Sequence, residues 1–281
     1  MTTIRDMTAG DVTVGLGLSR QAGWNQTEAD WVRMVDMQPD GCFLAEWEGR
    51  PAGTVTTCHF GDVAWVAMVL VDEPLRGRGI GRALVAHALA FLDGLGVRTV
   101  RLDATPLGQP LYATMGFVAE YHLSRYHGRP RAAGKPERVP GTQPLQPDRT
   151  DALLALDRAV TGTDRARLLR RLAAERPESV RVAGQGGRVD GYLMARPGAR
   201  ATQIGPCVAG PEAGPVLLTE AWQDYAGRTV IVDIPVHHAS SHTLARAGGL
   251  TVQRTLIRMR RGEKLDEQFG GLWASSGPEK G

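Results

Sequence analysis

The stretch Val69–Leu84, VLVDEPLRGRGIGRAL, constrains this chain more than any other. An apolar run from Trp65 to Val71 reads as a buried strand. Ile80, Leu84, Val85, Ala88, Leu89 and Leu92 then recur at helical spacing over Ile80–Leu95. Between them lies a turn rich in glycine and arginine, Arg76 to Gly81. A strand, such a turn and a helix start make an anion cradle, because first-turn N–H groups lack intrahelical partners and the helix dipole adds positive charge there. Gly77, Gly79 and Gly81 carry no Cβ and let the backbone approach a phosphate, while Arg76, Arg78 and Arg82 can add charge-assisted bonds. The implied ligand is a diphosphate. The spacing is Arg-x-x-Gly-x-Gly (Arg76, Gly79, Gly81), which is neither the Walker pattern nor the Rossmann pattern.

Downstream, Thr99–Ala104 reads as another strand, and Leu111-Tyr112-Ala113-Thr114-Met115-Gly116-Phe117 follows it. With both motifs in this order, residues 1–127 resemble the GNAT superfamily of acetyl-CoA-dependent N-acyltransferases. The resemblance implies fold class α/β (α+β), with a mixed, mostly antiparallel sheet flanked by helices. It implies that the coenzyme A pyrophosphate sits on the backbone of Arg76, Gly77, Arg78, Gly79, Ile80 and Gly81, beside Arg82. It places the pantetheine along Met68, Val69, Leu70 and Val71, where the fourth and fifth strands splay, and makes Tyr112 the general acid near the departing thiolate. Two departures stand out. Many relatives carry a glutamate on the fourth strand, whereas Trp65–Val71 has no carboxylate. Many also carry an asparagine seven residues before the tyrosine, where this chain has Thr105. Asp103 is a candidate base or, equally, a buried aspartate bonded to backbone N–H groups. Asp72 and Glu73 read as caps of the turn. Asn25 and Asp36 come from the helical region that usually covers the acceptor side in this family and could bind an amine or, equally, be a cap and a surface residue; Trp24 and Asn25 are the candidate substrate-binding residues.

The implied chemistry is acetyl transfer to a primary amine by direct attack in a ternary complex. An alkyl amine with a pKa near 10.4 is neutral at pH 7 in only on the order of one molecule in a thousand, so a base or a desolvating pocket has to supply the nucleophile. The expected acceptor is a small molecule. A protein amino group, or a non-catalytic acyl-CoA sensor, are the alternatives.

Composition narrows the partners. The 33 basic and 30 acidic residues nearly cancel, giving a formal charge of +3 and no electrostatic footprint for nucleic acid. Cys42, Cys58 and Cys207 show no C-x-x-C spacing, so neither a disulfide framework nor a zinc site is expected. No run of 18 apolar residues exists, so no membrane span is expected and a cytoplasmic protein is the default, as monomer or homodimer.

Elsewhere, Arg20–Met37 reads as a helical stretch, and Gly41–Glu46 and Gly53–Phe60 as a hairpin turning at Glu48–Pro51. The proline-rich stretch 128–147, with Lys135, Pro136, Arg138 and Pro140, reads as a linker. The pattern then restarts: helices within Asp151–Glu175, a hairpin around Gly186-Gly187-Arg188, and strands at Ala201–Val208 and Thr229–Ile234. This implies a second domain of the same fold over 148–262. In place of the cradle it has Gly210-Pro211-Glu212-Ala213-Gly214-Pro215, where two prolines remove donors and Glu212 adds negative charge; Ala245 stands where Tyr112 stood. The arrangement resembles a bacterial tandem GNAT group with an active first domain and a degenerate second one, for which Gly23-Trp24-Asn25 and Gly162-Thr163-Asp164-Arg165 are landmarks. His237, His238 and His242 read as ordinary surface histidines. In the tail, 263–281, the apolar pair Leu272-Trp273 is expected to dock against the first domain.

Overall fold

The computed structural model describes residues 2–131 and 142–281. In chain order the first half forms β1 (Thr2–Asp6), α1 (Val12–Gln21), α2 (Glu28–Met37), β2 (Cys42–Trp47), β3 (Arg50–Phe60), β4 (Val63–Val71), α3 (Ile80–Gly94), β5 (Thr99–Ala104), α4 (Gln109–Ala113) and β6 (Val118–Gly128). The second half forms β7 (Thr142–Pro144), α5 (Thr150–Thr161), α6 (Ala166–Glu175), β8 (Arg181–Ala183), β9 (Gly191–Arg196), β10 (Thr202–Ala209), α7 (Ala213–Asp224), β11 (Val230–Pro235), α8 (Ala239–Ala247), β12 (Thr251–Gly262) and β13 (Leu272–Ala274). Both halves thus have the mixed sheet flanked by helices that the sequence implies.

The compact units do not follow the halves. Unit 1 is Met1–Ala119 with Met259–Lys264 and Pro278–Gly281; unit 2 is Glu120–Arg258 with Leu265–Gly277. Most of β6 therefore belongs to unit 2, and the end of β12 belongs to unit 1. The stretch read as a linker carries secondary structure at both ends: His127 and Gly128 finish β6, and Thr142–Pro144 form β7, paired with β8. Lys135, Pro136, Arg138 and Pro140 lie outside the described residues.

In unit 1 the strand order is β1-β2-β3-β4-β5, followed by the end of β12. β1 to β4 are antiparallel, and β4 and β5 are parallel. The β2–β3 hairpin turns at Glu48 (φ 52°) and Gly49 (φ 75°), the two successive left-handed residues that a two-residue hairpin turn needs. α3 lies on β2, β3 and β4. Its stripe Ile80, Leu84, Val85, Ala88 and Leu92 is fully buried, each large side chain contributing about 1.5–3 kcal/mol of apolar transfer.

The stretch read as one helix over 20–37 is two. Gly23, at φ 69°, ends the first, and Thr27 starts the second with a reciprocal capping box: its hydroxyl accepts from the Asp30 N–H while the Asp30 carboxylate accepts from the Thr27 N–H at 2.9 Å. The Trp31 indole lies under Gly15, where a Cβ would meet the ring at 2.7 Å, and donates to the Ser19 hydroxyl at 3.1 Å. Ahead of α1, Asp11 accepts from both Arg5 η nitrogens (2.9 and 2.8 Å) and from the Thr8 N–H and hydroxyl (2.8 Å each). The Arg5 guanidinium holds its carboxyl well below the usual range, so this stability is present above the unfolded-state pKa, near 3.8, and is lost as pH falls further. Asp11→Asn is expected to cost about 1–3 kcal/mol at pH 7 in urea unfolding, and to flatten the acid limb of the stability curve.

Unit 2 orders its strands β12-β6-β11-β10-β9-β8-β7. Its core gathers Leu193, Ile204, Leu217, Leu218, Val232 and Trp273 around Tyr126 of β6. β6 is fastened to β11 by a buried bidentate pair, Arg125 with Asp233, at 2.7 and 2.8 Å. The expected docking of Leu272-Trp273 against the first domain is corrected. These residues form β13, which pairs with β10 in unit 2. The histidines also need correction: His238 and His242 are buried. The His238 Nδ1 accepts from the Ser241 N–H, and its Nε2 faces the Gly270 carbonyl at 3.2 Å. His242 lies between the Tyr126 hydroxyl (3.0 Å) and the Pro235 carbonyl (3.1 Å). Burial holds both rings below the ordinary histidine pKa, so they serve as neutral packing groups.

Candidate functional site

The ladder between β4 and β5 pairs Val63–Trp65 with Thr99–Arg101, although β4 runs on to Val71 and β5 to Ala104. Past Trp65 and Arg101 the two strands part. Backbone N–H and C=O groups of β4 that face this gap are left to an added strand-like partner, since every buried backbone group needs one.

Within the gap β4 bulges. Thr54 pairs with Leu70 and Thr56 with Ala67, so Val55 opposes both Met68 and Val69. Met68 takes φ 50°, a left-handed value that is unusual for a non-glycine residue. The Thr54 hydroxyl donates to the Met68 carbonyl at 2.9 Å and holds it back against β3. Sequence reasoning missed this bulge, because no glycine or proline interrupts Val63–Val71.

After β4 a short 3-10 turn, Glu73–Leu75, leads into the glycine turn. Gly77 (φ 76°) and Gly79 (φ 80°) are both left-handed, and Gly79 is the N-cap of α3 with no side-chain capping bond. The first N–H groups of α3 therefore point out of the helix. A Cβ at Gly77 or Gly79 would meet nothing within 4 Å. Open space thus lies over the turn. Gly81 sits inside α3, next to Val71 and Leu111.

The three arginines are exposed and hold the frame of the turn. Arg76 donates to the Val71 carbonyl at 3.3 Å, Arg82 donates to the Thr114 hydroxyl at 2.7 Å, and the Arg78 guanidinium lies 5.3 Å from the Trp47 ring centroid. The Arg82–Thr114 bond and the approach of Leu111 to Gly81 bring α4, and Tyr112 on it, beside the start of α3. Tyr112 packs edge-on against Phe117, with centroids 6.0 Å apart, and burial pushes its phenol up to about 12. Thr105 closes the turn ahead of α4: its hydroxyl accepts from the Gly108 N–H at 3.2 Å.

Asp103 stands on the part of β5 beyond the ladder with β4 and is half-buried. Trp24 and Asn25 lie in the connection between α1 and α2, half-buried and buried respectively. That connection starts beside the turn after β4, because Gln21 donates to the Asp72 carboxylate at 2.9 Å and accepts from the Glu73 N–H at 3.0 Å. Asp72 is thus tied to α1. Among the described residues no group of three His, Cys, Asp or Glu could hold a metal ion, and no helix is long and apolar enough to cross a membrane.

Unit 2 repeats the arrangement with a different outcome. β10 and β11 pair in parallel over Thr202–Ile204 and Val230–Val232 and then part. β13 fills that gap. Cys207 and Val208 pair with Ala274 and Leu272, and the Ser275 N–H donates to the Asp233 carbonyl at 2.8 Å. The Trp273 indole donates to the Ala209 carbonyl at 3.0 Å and lies against Gly214, where a Cβ would meet it at 2.0 Å. A cleft of about 630 Å³ remains beside the turn, lined among others by Arg188, Asp190, Pro211 and Glu212.

Known proteins match both halves. Residues 16–117 match the family described as acetyltransferase (GNAT) family, and residues 153–274 match one described as acetyltransferase (GNAT) domain. The holothin acyltransferase of Pseudoalteromonas sp. is 27% identical over 65% of this chain, which spans 61% of that protein's length. YitH of Bacillus subtilis, an uncharacterized N-acetyltransferase, is 26% identical over 81% of this chain and 80% of its own. Among solved structures, a Pyrococcus horikoshii protein provisionally assigned as an acetyltransferase superposes with a TM-score of 0.83 at 25% identity, covering 100% of this chain and 96% of its own. A tandem GNAT protein from the clavulanic acid biosynthesis pathway superposes at 0.67, with 18% identity over 93% and 98% of the two chains.

Proposed function

This chain belongs to the GNAT acetyltransferase family through both of its halves, and from that premise we propose that unit 1 transfers acetyl from acetyl-CoA to a primary amine. The observation that carries the reading is the turn after β4. The start of α3 is uncapped, two left-handed glycines precede it, and space lies open above them. A pyrophosphate there receives backbone N–H bonds and the helix dipole. The gap beyond Trp65 and Arg101 gives the amide-bearing pantetheine a strand edge along Met68–Val71.

Each residue then has a defined task. The bulge at Met68 and Val69 turns backbone N–H toward the thioester carbonyl and stabilises the charge that develops on its oxygen. The amine nitrogen bonds to the acetyl carbon as the carbon–sulfur bond breaks. Tyr112, neutral because burial raises its phenol, donates its proton to the leaving thiolate. Asp103, on β5 beyond the ladder, is the candidate base for the amine, and Trp24 and Asn25 are the candidate acceptor contacts. The acceptor is proposed to be a small molecule. A protein amino group is the second reading, favoured by 34% identity over 33% of this chain to an Arabidopsis thaliana N-alpha-acetyltransferase.

Calorimetric titration with acetyl-CoA tests the reading. One site per chain is expected, since β13 fills the corresponding gap in unit 2 and Pro211 and Pro215 lack N–H donors. A second site would mean that the unit 2 gap opens; no binding would overturn the proposal.

A further inference from the structure

Thr54 on β3 is fully buried, and its hydroxyl donates to the Met68 carbonyl at 2.9 Å. Valine has nearly the same shape and suits a buried strand, without the cost of taking a hydroxyl out of water. The hydroxyl is needed because β4 bulges there. Val55 opposes both Met68 and Val69, so the regular ladder is broken at the Met68 carbonyl. Left unpaired in the interior, that carbonyl would cost as much as a lost hydrogen bond. Met68 also holds φ 50°, a left-handed angle that a non-glycine residue adopts only at a cost in strain. A regular strand over Val63–Val71 would need neither the strain nor the hydroxyl.

The bond has a consequence on the far side of β4. A peptide group is planar, and in the trans form its C=O and N–H point in opposite directions. The Met68–Val69 peptide is trans. With the Met68 carbonyl held toward β3, the Val69 N–H points away from β3. The neighbour of β4 on that side is β5, but their ladder ends at Trp65 and Arg101 and does not reach this N–H. The thioester of acetyl-CoA is proposed to lie there. We propose that Thr54 is a positioning residue for acetyl transfer: its hydroxyl locks the peptide that aims the Val69 N–H at the thioester oxygen. The inference rests on the reading of unit 1 as an acetyl-CoA-dependent transferase and names the residue that prepares its oxyanion donor. Without the bond, the peptide at the bulge could rotate and relieve the strain at Met68, carrying the N–H with it. A donor fixed before the substrate arrives needs no reorganisation as charge builds on the oxygen.

Spectroscopy and binding test this without an acceptor. The full chain is saturated with acetyl-CoA isotope-labelled at the acetyl carbonyl carbon, and the carbonyl stretch is read by infrared difference spectroscopy. A hydrogen bond to the oxygen lowers that frequency. Thr54→Val should move the band to higher frequency than in the unaltered chain, and Thr54→Ser, which keeps the hydroxyl, should return it. Calorimetry gives a second reading, since CoA lacks the acetyl carbonyl. Thr54→Val should weaken acetyl-CoA by about three- to tenfold, the usual worth of one hydrogen bond, and leave CoA within about twofold. If Thr54→Val does not fold, Thr54→Cys, with only a weak S–H donor, should move band and affinity in the same direction. An unmoved band, an equal loss of CoA and acetyl-CoA, or no recovery in Thr54→Ser would each overturn the inference. Failure of CoA to bind the unaltered chain would instead overturn the reading of unit 1.

Discussion

Gly79→Glu is expected to abolish acetyl-CoA binding, a loss of at least about 100-fold by calorimetry, while the purified chain stays folded. Two effects add. Gly79 sits at φ 80°, where a side chain costs roughly 1–2 kcal/mol. The carboxylate would also project into the open space above the turn, at the uncapped start of α3, where the pyrophosphate is proposed to lie. Like charge at that point reverses the favourable dipole interaction and blocks the phosphate. Gly79→Ala separates the two. Nothing lies within 4 Å of the added Cβ, so alanine brings the backbone strain alone. It should lower stability by about 1 kcal/mol and weaken acetyl-CoA modestly. Equal loss in both variants would make strain the whole effect. Unchanged binding in Gly79→Glu would place the pyrophosphate elsewhere.

Tyr112→Phe should lower kcat by about 10- to 100-fold, the usual worth of a positioned proton donor, and leave the acetyl-CoA Kd nearly unchanged. The substitution keeps the ring that packs on Phe117 and against Gly108, and removes only the hydroxyl. Because burial raises the phenol to about 12, Tyr112 stays protonated throughout the neutral range. An alkaline limb of kcat due to this residue should therefore begin only above about pH 10, the ordinary phenol value, and be missing from the phenylalanine variant. The raised pKa also favours the folded state at neutral pH; that contribution is complete below about pH 10 and fades as pH rises toward 12. Full activity in Tyr112→Phe would remove the residue from the chemistry.

The turn after β4 was legible because it is local. A strand end, a helix start and the glycines between them lie within Val69–Leu84, and Gly77 and Gly79 take the left-handed angles that explain why glycine stands there. Hairpins were legible for the same reason: Glu48-Gly49 and Gly186-Gly187 are turn signals read at short range. β1 gave no such signal, since Thr2–Asp6 is too polar to read as a strand and is held by its pairing with β2. The break within 20–37 was not legible because the pattern of Trp24 and Trp31 runs across the gap that Gly23 and the Thr27 cap impose.

The amino-acid order by itself determined the two-fold repetition of one fold, the glycine- and arginine-rich turn in the first copy and the proline-containing stretch that replaces it in the second. Each of these depends on backbone freedom and side-chain chemistry over a few neighbouring residues. Tertiary structure alone decided which strand completes which sheet. β6 stands beside β11 and the end of β12 joins unit 1, since hydrogen-bonded ladders are chemically alike and periodicity does not name a partner. The same holds for β13 in the unit 2 gap and for Gly281 beside Trp65. Leu272-Trp273 announced burial, but the place of burial was set by a gap formed by strands some 40 to 70 residues earlier. Nothing in the run Pro278–Gly281 announced burial at all. Glu279 and Lys280 are buried there as an ion pair, and Gly281 seats against an indole that only the fold brings to it.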